Sequence, residues 1–262
     1  MVDREGYAPG WTSDALVMMG QRSAQERAAF VFPYLTEDIR VLDVGCGPGT
    51  ITIGLAQAVS PHGVVVGIDR ESSQVELARQ ASQTMGVSNV RFEQGFAYKL
   101  PVDKGSVDVV FAHALFEHLA SPRQALIEFR RVLRAGGVVA LTSSDWSAAT
   151  LEPWNDDIDW ALGAHYLLRK WAGGDPFTGG RLETLVREAG FMDVHARHED
   201  RIDMSYDQLA RYVGTRIESA VAAGVGDYQA TLEKAAQAAR RWATQRGTFT
   251  QRWIEVVARF PG

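Results

Sequence analysis

A glycine-rich turn lies between a segment with strand character and a segment with helix character. Val41–Val44 has the composition of a buried strand, and Ile51–Val59 that of a helix. Gly45 permits a tight backbone turn, Gly47 lets a ligand approach the main chain closely, and Gly49 lets the next helix pack close to the strand. Because the first N–H groups of a helix are free to bind a polar ligand, this stretch is predicted to be a ligand site.

An aspartate forms the second candidate, about 20 residues further along the chain. The apolar run Val64–Asp69 reads as a buried parallel strand that ends in the carboxylate of Asp69. In a nucleotide-binding crossover fold, this is the position of an acceptor for ribose hydroxyls. The alternative is a turn or helix N-terminal aspartate. Spacing and strand end together favour the ligand role.

Strands that alternate with helices are predicted to position these residues. The strands are continuous apolar runs, as in parallel sheets covered on both faces, so a doubly wound α/β sheet is expected. After residue 143 the chain becomes rich in aromatic residues. One domain is expected overall, with an N-terminal helical cap over 1–35, a ligand-binding core over 36–144, and the remainder of the sheet with helical lid insertions over 145–262. The strands are predicted at Arg40–Val44, Val64–Asp69, Val90–Glu93, Val107–Ala112, Val138–Thr142, Phe191–His198 and Thr248–Phe260.

Composition narrows the choice of partners. The 262 residues are 46% hydrophobic and 23% charged, and the net charge of −5 without a long basic run argues against a nucleic acid partner. Cys46 is the only cysteine, so neither a disulfide nor a cysteine metal cluster is expected. No apolar run reaches membrane-spanning length and residues 1–5 do not begin a signal peptide, so a cytoplasmic protein without a membrane partner is expected. The oligomeric state stays open, and a homodimer is compatible with the sequence.

Four motifs together resemble those of the class I S-adenosylmethionine-dependent methyltransferases, in the broad branch that includes ubiquinone/menaquinone-type enzymes. They are Val41–Thr50, Gly67–Asp69, Val107–Leu119 and Arg131–Gly137, and they occur in family order. The resemblance implies a Rossmann-like methyltransferase fold whose seven-stranded, mainly parallel sheet has a reversed last strand. It also implies in-line methyl transfer from S-adenosyl-L-methionine, leaving S-adenosyl-L-homocysteine, to an O, N or C atom of a small molecule.

The resemblance further assigns roles to single residues at the glycine turn and the second strand. Gly45 and Gly47 would line the methionine part of the cofactor, and Asp43 would help to orient its amino group. Asp69 would hold both ribose hydroxyls, with Arg70 near the adenine.

At the adenine edge the sequence departs from the family pattern. Many relatives have an acidic residue where Phe96 stands, so apolar contact from Phe96 and a backbone bond from Ala97 are expected instead. Arg22, at the mouth of the N-terminal cap, is either a solvated arginine or a partner for a ligand carboxylate. The implied cofactor-binding set is Arg22, Asp43, Gly45, Cys46, Gly47, Asp69, Arg70, Phe96, Ala97 and His113.

Three ionisable residues follow the fourth strand. Ligands of open α/β sheets lie beyond the carboxyl ends of the strands, which places His113, Glu117 and His118 near the reacting centre. A general base is needed to deprotonate a hydroxyl acceptor, and the need is smaller for an amine or an activated carbon. His113 is the first candidate for that catalytic role. A cofactor contact alone is the alternative for His113, and a structural role is expected for His118.

The aromatic-rich stretches 145–177 and 204–245 are predicted to cover the acceptor site as a lid. Aromatic faces near a sulfonium are electrostatically favourable, and Trp11, Trp146 and Tyr166 are the candidates to supply them. Most of the other aromatics are expected to pack a helical subdomain, and a dimer interface is the alternative. An aromatic cover favours an apolar or aromatic acceptor.

Other functions stay open beside methyl transfer. The loop Ala112–Leu115 lacks the Asn/Asp-Pro-Pro-aromatic motif of similar DNA-adenine and protein-glutamine enzymes, which favours a small molecule. One alternative is a protein of this fold that keeps the cofactor without methyl transfer, as a cyclase or sensor. An NAD-dependent dehydrogenase would also suit the glycine turn and Asp69. Phe116–Leu119 and Arg131–Gly137 resemble no dehydrogenase feature, which disfavours the dehydrogenase.

Overall fold

A seven-stranded sheet is the frame of the computed structural model, which describes residues 20, 22–59 and 62–262. The strands are β1 (Arg40–Val44), β2 (Val64–Asp69), β3 (Val90–Gln94), β4 (Val107–His113), β5 (Leu133–Glu152), β6 (Met192–Arg201) and β7 (Thr248–Arg259). They lie in the order β3-β2-β1-β4-β5-β7-β6, and β7 runs antiparallel to β5 and β6 while the other pairs are parallel. The predicted α/β sheet with a reversed last strand is confirmed.

Helices cover both faces of the sheet. The described helices are α1 (Ala24–Arg27), α2 (Thr50–Ala58), α3 (Ser72–Thr84), α4 (Pro122–Val132), α5 (Asp156–Trp171), α6 (Leu182–Glu188), α7 (Tyr206–Ala223) and α8 (Gln229–Trp242). Buried residues of α1, α2 and α3 share one apolar cluster with the sheet, and those of α4 and α6 share another. Of the predicted cap over 1–35, α1 packs on α2, where a Cβ at Gly54 would meet the Ala24 Cβ at 2.7 Å.

The fifth strand is longer than the predicted Val138–Thr142. It continues to Glu152, with an irregularity after Asp145, and pairs again with β7 from Thr150 opposite Thr250. The physical reason is the length of β7, whose 12 residues offer backbone partners beyond the end of a short β5. β5 therefore crosses residue 144, the expected boundary between the core and the lid.

A separate helical layer is built from α5, α7 and α8. Its buried cluster includes Trp242 and Tyr206, whose rings meet edge to face with centroids 5.6 Å apart. Trp146, in the second half of β5, and Phe249, near the start of β7, belong to the same cluster and join the layer to the sheet. Most lid aromatics thus pack the layer or its surface rather than a cavity. Three tryptophans of the stretch 145–177 remain substantially exposed: Trp154, Trp160 and Trp171.

Candidate functional site

A cavity of about 210 Å³ lies at the carboxyl ends of the parallel strands. Its wall includes the last residues of β1, β2 and β4, which are Val44, Asp69 and His113. Arg169 from α5 and Tyr212 from α7 belong to the same wall. This is the edge at which open α/β sheets bind ligands, and here the helical layer forms part of the wall.

The glycine turn forms one part of the wall. Gly45, Gly47 and Gly49 all have positive φ angles, of 78°, 54° and 81°, which L side chains rarely adopt. Gly45 and Gly47 line the cavity. Gly49 instead faces the protein, where a Cβ would meet the Ala78 Cβ at 2.7 Å and the Phe92 ring at 2.8 Å. The sequence predicted that Gly49 lets the next helix, α2, pack close to the strand, whereas the close contacts at Gly49 are with α3 and β3.

Asp69 lies in the wall and also braces the glycine turn. Its Oδ2 accepts a hydrogen bond from the Gly47 N–H at 2.8 Å, and its Oδ1 accepts one from the Glu71 N–H at 2.9 Å. Burial raises the pKa of Asp69, and these two backbone bonds oppose the rise. A carboxylate held in this way keeps its remaining lone pairs for a ligand.

Asp43 and Cys46 are buried beside the turn but do not line the cavity. Thr52 Oγ1 donates a hydrogen bond of 2.6 Å to Asp43 Oδ2. Burial raises the pKa of Asp43 to about 7, and it raises the pKa of the Cys46 thiol well above its usual range. Contacts of these two side chains with a cofactor stay predictions.

Asp43→Asn is expected to change how stability depends on pH. Because the folded pKa of Asp43 is raised from 3.8 to about 7, the stability that this group contributes is present at low pH and is lost as the pH rises through about 7. The amide keeps an oxygen for Thr52 and does not ionise. Relative to the wild type, the ligand-free variant should gain stability of about 2–3 kcal/mol as the pH rises from about 5 to about 8. Urea unfolding at both pH values measures this, and a pH-independent difference would contradict it.

The predicted adenine side of the cavity is present. Arg70, Phe96 and Ala97 all line it, and the Phe96 side chain is 51% exposed. Arg70 forms an ion pair of 3.1 Å with Glu71, which also lines the cavity. The exposed Phe96 ring offers a flat apolar face to a ligand ring. Whether adenine binds here stays a prediction.

His113 is buried in the wall and only 6% exposed. Its ring stacks on Trp253 with centroids 5.0 Å apart and an interplanar angle of 14°. Neither Nδ1 nor Nε2 has a hydrogen-bond partner among the residues that the structure describes. Burial lowers the pKa of His113 well below its usual range, and the charges of Arg22, Arg27 and Arg201 act in the same direction. The ring is therefore neutral near pH 7.

Glu117 forms a buried polar cluster that the sequence analysis missed. Its carboxylate accepts hydrogen bonds from Ser143 Oγ at 2.5 Å and Ser144 Oγ at 3.1 Å. Glu117 and Ser144 line the cavity. Adjacent residues of a regular strand point to opposite faces, so two consecutive serines gave no signal that both would meet one carboxylate.

The lid stretches supply the rest of the wall. Of the predicted lid residues, Trp146 lines the cavity and Tyr166 does not. The Tyr166 ring packs against the Trp146 ring, with 5.9 Å between their centroids. Tyr166 also meets Phe177 at 5.2 Å, and burial raises its pKa to about 12. Trp11 lies outside the described residues. Sequence reasoning did not single out the following wall residues: Arg169, Met204, Leu209, Tyr212, Phe249, Gln251 and Trp253.

The N-terminal segment reaches the cavity through two arginines. Arg22, a predicted cofactor contact, lines it together with Arg27. Arg27 forms an ion pair of 2.7 Å with Asp203, whose other oxygen accepts a bond of 2.9 Å from Trp253 Nε1. The cap is thereby connected to the segment before α7.

The described residues contain no group of three or more His, Cys, Asp and Glu side chains that could hold a metal ion. Within the same ranges, no helix has both the length and the apolar character needed to cross a membrane.

Comparisons with known proteins agree with this architecture. A family model described as a methyltransferase domain matches residues 35–190. An uncharacterized 37.1 kDa protein in a Streptomyces fradiae transposon is 38% identical over 150 residues, which cover 57% of this chain and 42% of that protein. A probable methyltransferase of Aspergillus luteorubrus is 33% identical over 198 residues, covering 71% of this chain and 68% of the relative. The chain thus spans about two fifths of the length of the first of these curated relatives, and about two thirds of the second.

Solved structures share the fold at low identity. A candidate methyltransferase from Bacillus halodurans has a TM-score of 0.61 at 20% identity, covering 96% of this chain and 100% of that one. The cyclase SpnF has a TM-score of 0.57 at 22% identity, with 92% and 84% covered. The family model spans more than half of the chain and includes the glycine turn, Asp69 and His113. The chain therefore belongs to the methyltransferase domain family.

Proposed function

We propose that this protein transfers a methyl group from S-adenosylmethionine to a small-molecule acceptor. One observation carries the proposal: the glycine turn and Asp69 line the same cavity as His113 and Trp146. A cofactor held by the first pair would face an acceptor held near the second pair. The methyltransferase domain over residues 35–190 supports this assignment.

The residues of the cavity fit the cofactor that the family implies. Gly45 and Gly47 present backbone without side chains, and the buried Asp69 gains from hydroxyl donors because burial has raised its pKa. Arg70 and the half-exposed Phe96 would flank the adenine. When bound, S-adenosylmethionine supplies an already activated methyl group on a sulfonium.

The chain itself then contributes mainly position. The wall of the cavity limits the access of water to the reacting atoms, and the Trp146 and Trp253 rings are part of that wall. His113 is neutral and has both ring nitrogens unpartnered among the described residues, so it can accept a hydrogen bond from an acceptor hydroxyl or amine. Its lowered pKa makes it a weak base, so we assign it to orienting the acceptor, and the rate to in-line positioning.

The acceptor is proposed to have an apolar or aromatic body. Three apolar side chains of the wall come from the lid and from β7: Met204, Leu209 and Phe249. Such a wall binds a flat or hydrocarbon surface through burial of apolar area.

A methyl-transfer assay separates the proposal from its alternatives. The purified protein is incubated with S-adenosylmethionine and a panel of small hydroxy, amino and activated-carbon compounds, and S-adenosylhomocysteine is measured by mass spectrometry. We expect acceptor-dependent formation of S-adenosylhomocysteine, abolished by heat denaturation. Tight cofactor binding with no turnover across the panel would favour the cyclase or sensor reading.

A further inference from the structure

One buried cation in the cavity wall has no anionic partner among the residues that the structure describes. Arg169 is 5% exposed and lines the cavity, yet the ion pairs formed by the described residues do not include it. Arg169 Nη1 has no hydrogen-bond partner among the described residues. Its Nε donates to the ring of His165, with 3.3 Å between Nε and Nε2. The guanidinium charge is therefore buried beside a ring rather than beside a carboxylate.

His165 does not offset this charge. Burial lowers its pKa well below the usual range, and Arg216 and Arg169 lower it further, so the ring is neutral. Arg216 Nη1 lies 2.8 Å from His165 Nδ1, which places a second guanidinium on the same imidazole. The surroundings of Arg169 on this side are neutral or positive.

The carboxylates of the wall are already bound by other donors. Glu117 accepts from two serine hydroxyls, and Asp69 accepts from two backbone N–H groups. Asp203 forms an ion pair with Arg27, and Glu71 forms one of 3.1 Å with Arg70. None of these four carboxylates forms an ion pair with Arg169.

Arg169 lies on the buried face of α5. Ile158, Leu162, His165 and Arg169 form a stripe along α5 with spacings of a single helix face, and all four are buried. The stripe begins apolar and ends in two polar residues, of which Arg169 lines the cavity. The Arg169 guanidinium lies 5.9 Å from the centre of the Trp146 ring, which holds its orientation.

We infer that the acceptor carries a carboxylate and that Arg169 binds it. A buried charge without a partner is costly, and it is retained where a ligand of opposite charge completes the pair. A single planar guanidinium matches a planar carboxylate through two parallel N–H bonds. The inference rests on the proposed function and refines it: the substrate is a small carboxylic acid with an apolar or aromatic body.

The test compares paired acids and amides. Benzoate and benzamide, cinnamate and cinnamamide, and hexanoate and hexanamide are titrated onto the wild-type protein saturated with S-adenosylhomocysteine, with binding followed by ligand-observed NMR. We expect at least one acid to bind at least tenfold more tightly than its amide. Arg169→Met should remove that preference and leave the affinity for S-adenosylhomocysteine unchanged within about twofold. Phenyl phosphate is titrated in the same way, to compare a phosphate ester with the carboxylate of benzoate.

Two variants serve as controls. Arg240→Met removes an exposed arginine of α8 that pairs with Glu218, and it should behave as the wild type. Arg169→Lys keeps the charge but not the fork, and it should keep part of the preference. The melting temperature of Arg169→Met should not fall, because an unpaired buried charge has been removed; a large fall would assign Arg169 a structural role and overturn the inference.

The remaining outcomes decide the matter directly. Equal binding of acids and amides, no binding of any acid, or an acid preference that survives in Arg169→Met would overturn the carboxylate assignment. Tighter binding of phenyl phosphate than of benzoate would do the same. Failure of the wild type to bind S-adenosylhomocysteine would instead strike the proposed function, so the two failures are distinguishable.

Discussion

Asp69→Ala is expected to weaken the binding of S-adenosylmethionine about tenfold to a hundredfold. A charged hydrogen bond contributes about 1.5–3 kcal/mol, and a loss of that size corresponds to this range in the dissociation constant. The structure adds a second effect, because the carboxylate also accepts the Gly47 N–H at 2.8 Å and the Glu71 N–H at 2.9 Å. The alanine variant therefore loses the ligand acceptor and loosens the turn that borders it.

Asp69→Asn is the matched control for that loss. The amide keeps one oxygen for a backbone N–H but lacks the charge, so its affinity should fall between those of the wild type and the alanine variant. Isothermal titration with S-adenosylmethionine measures all three proteins, with circular dichroism to establish that each is folded. An unchanged dissociation constant in a folded alanine variant would remove Asp69 from the cofactor site.

Gly49→Ala is expected to destabilise the protein by about 2–5 kcal/mol. The backbone at Gly49 has a φ of 81°, and an added Cβ would meet the Ala78 Cβ at 2.7 Å and the Phe92 ring at 2.8 Å. The left-handed conformation and the overpacking each contribute to the cost. Since the turn must move to relieve the clash, cofactor affinity should fall as well.

Gly86→Ala separates the two contributions. Gly86 also has a positive φ, of 67°, but an added Cβ there meets nothing within 4 Å. It should cost only the backbone term, about 1–2 kcal/mol, and leave cofactor affinity unchanged. Urea unfolding of both variants gives the comparison. Equal losses of stability would show that the packing of the glycine turn against α3 and β3 is unimportant.

The parallel core was predictable because its signals are local. Apolar runs, the alternating glycines and an acidic strand end each occupy a few consecutive residues, such as Val41–Val44 and Asp69, and their order implies the crossovers. The predicted family and the sheet with its reversed last strand are confirmed.

The cavity wall was harder to predict because it depends on how distant elements pack. Aromatic content marked the stretch 145–177, but it did not show that Trp146, directly after the paired residue Asp145 of β5, would line the wall in place of Tyr166. Arg169 did leave a signal, since it falls four residues after His165 on a face that is otherwise apolar. Glu117 left none for its serine partners, because regular strand geometry separates neighbouring side chains.

Calorimetric titration of the wild-type protein with S-adenosylhomocysteine and, separately, with NAD distinguishes a methyltransferase cofactor site from a dehydrogenase site. The glycine turn and Asp69 would suit either ligand, whereas the methyltransferase domain favours only S-adenosylhomocysteine. We expect saturable, one-to-one binding of S-adenosylhomocysteine that is weakened in Asp69→Ala, and no binding of NAD under the same conditions. Preferential binding of NAD, or no binding of S-adenosylhomocysteine by the folded protein, would show that the cavity is not a site for S-adenosylmethionine.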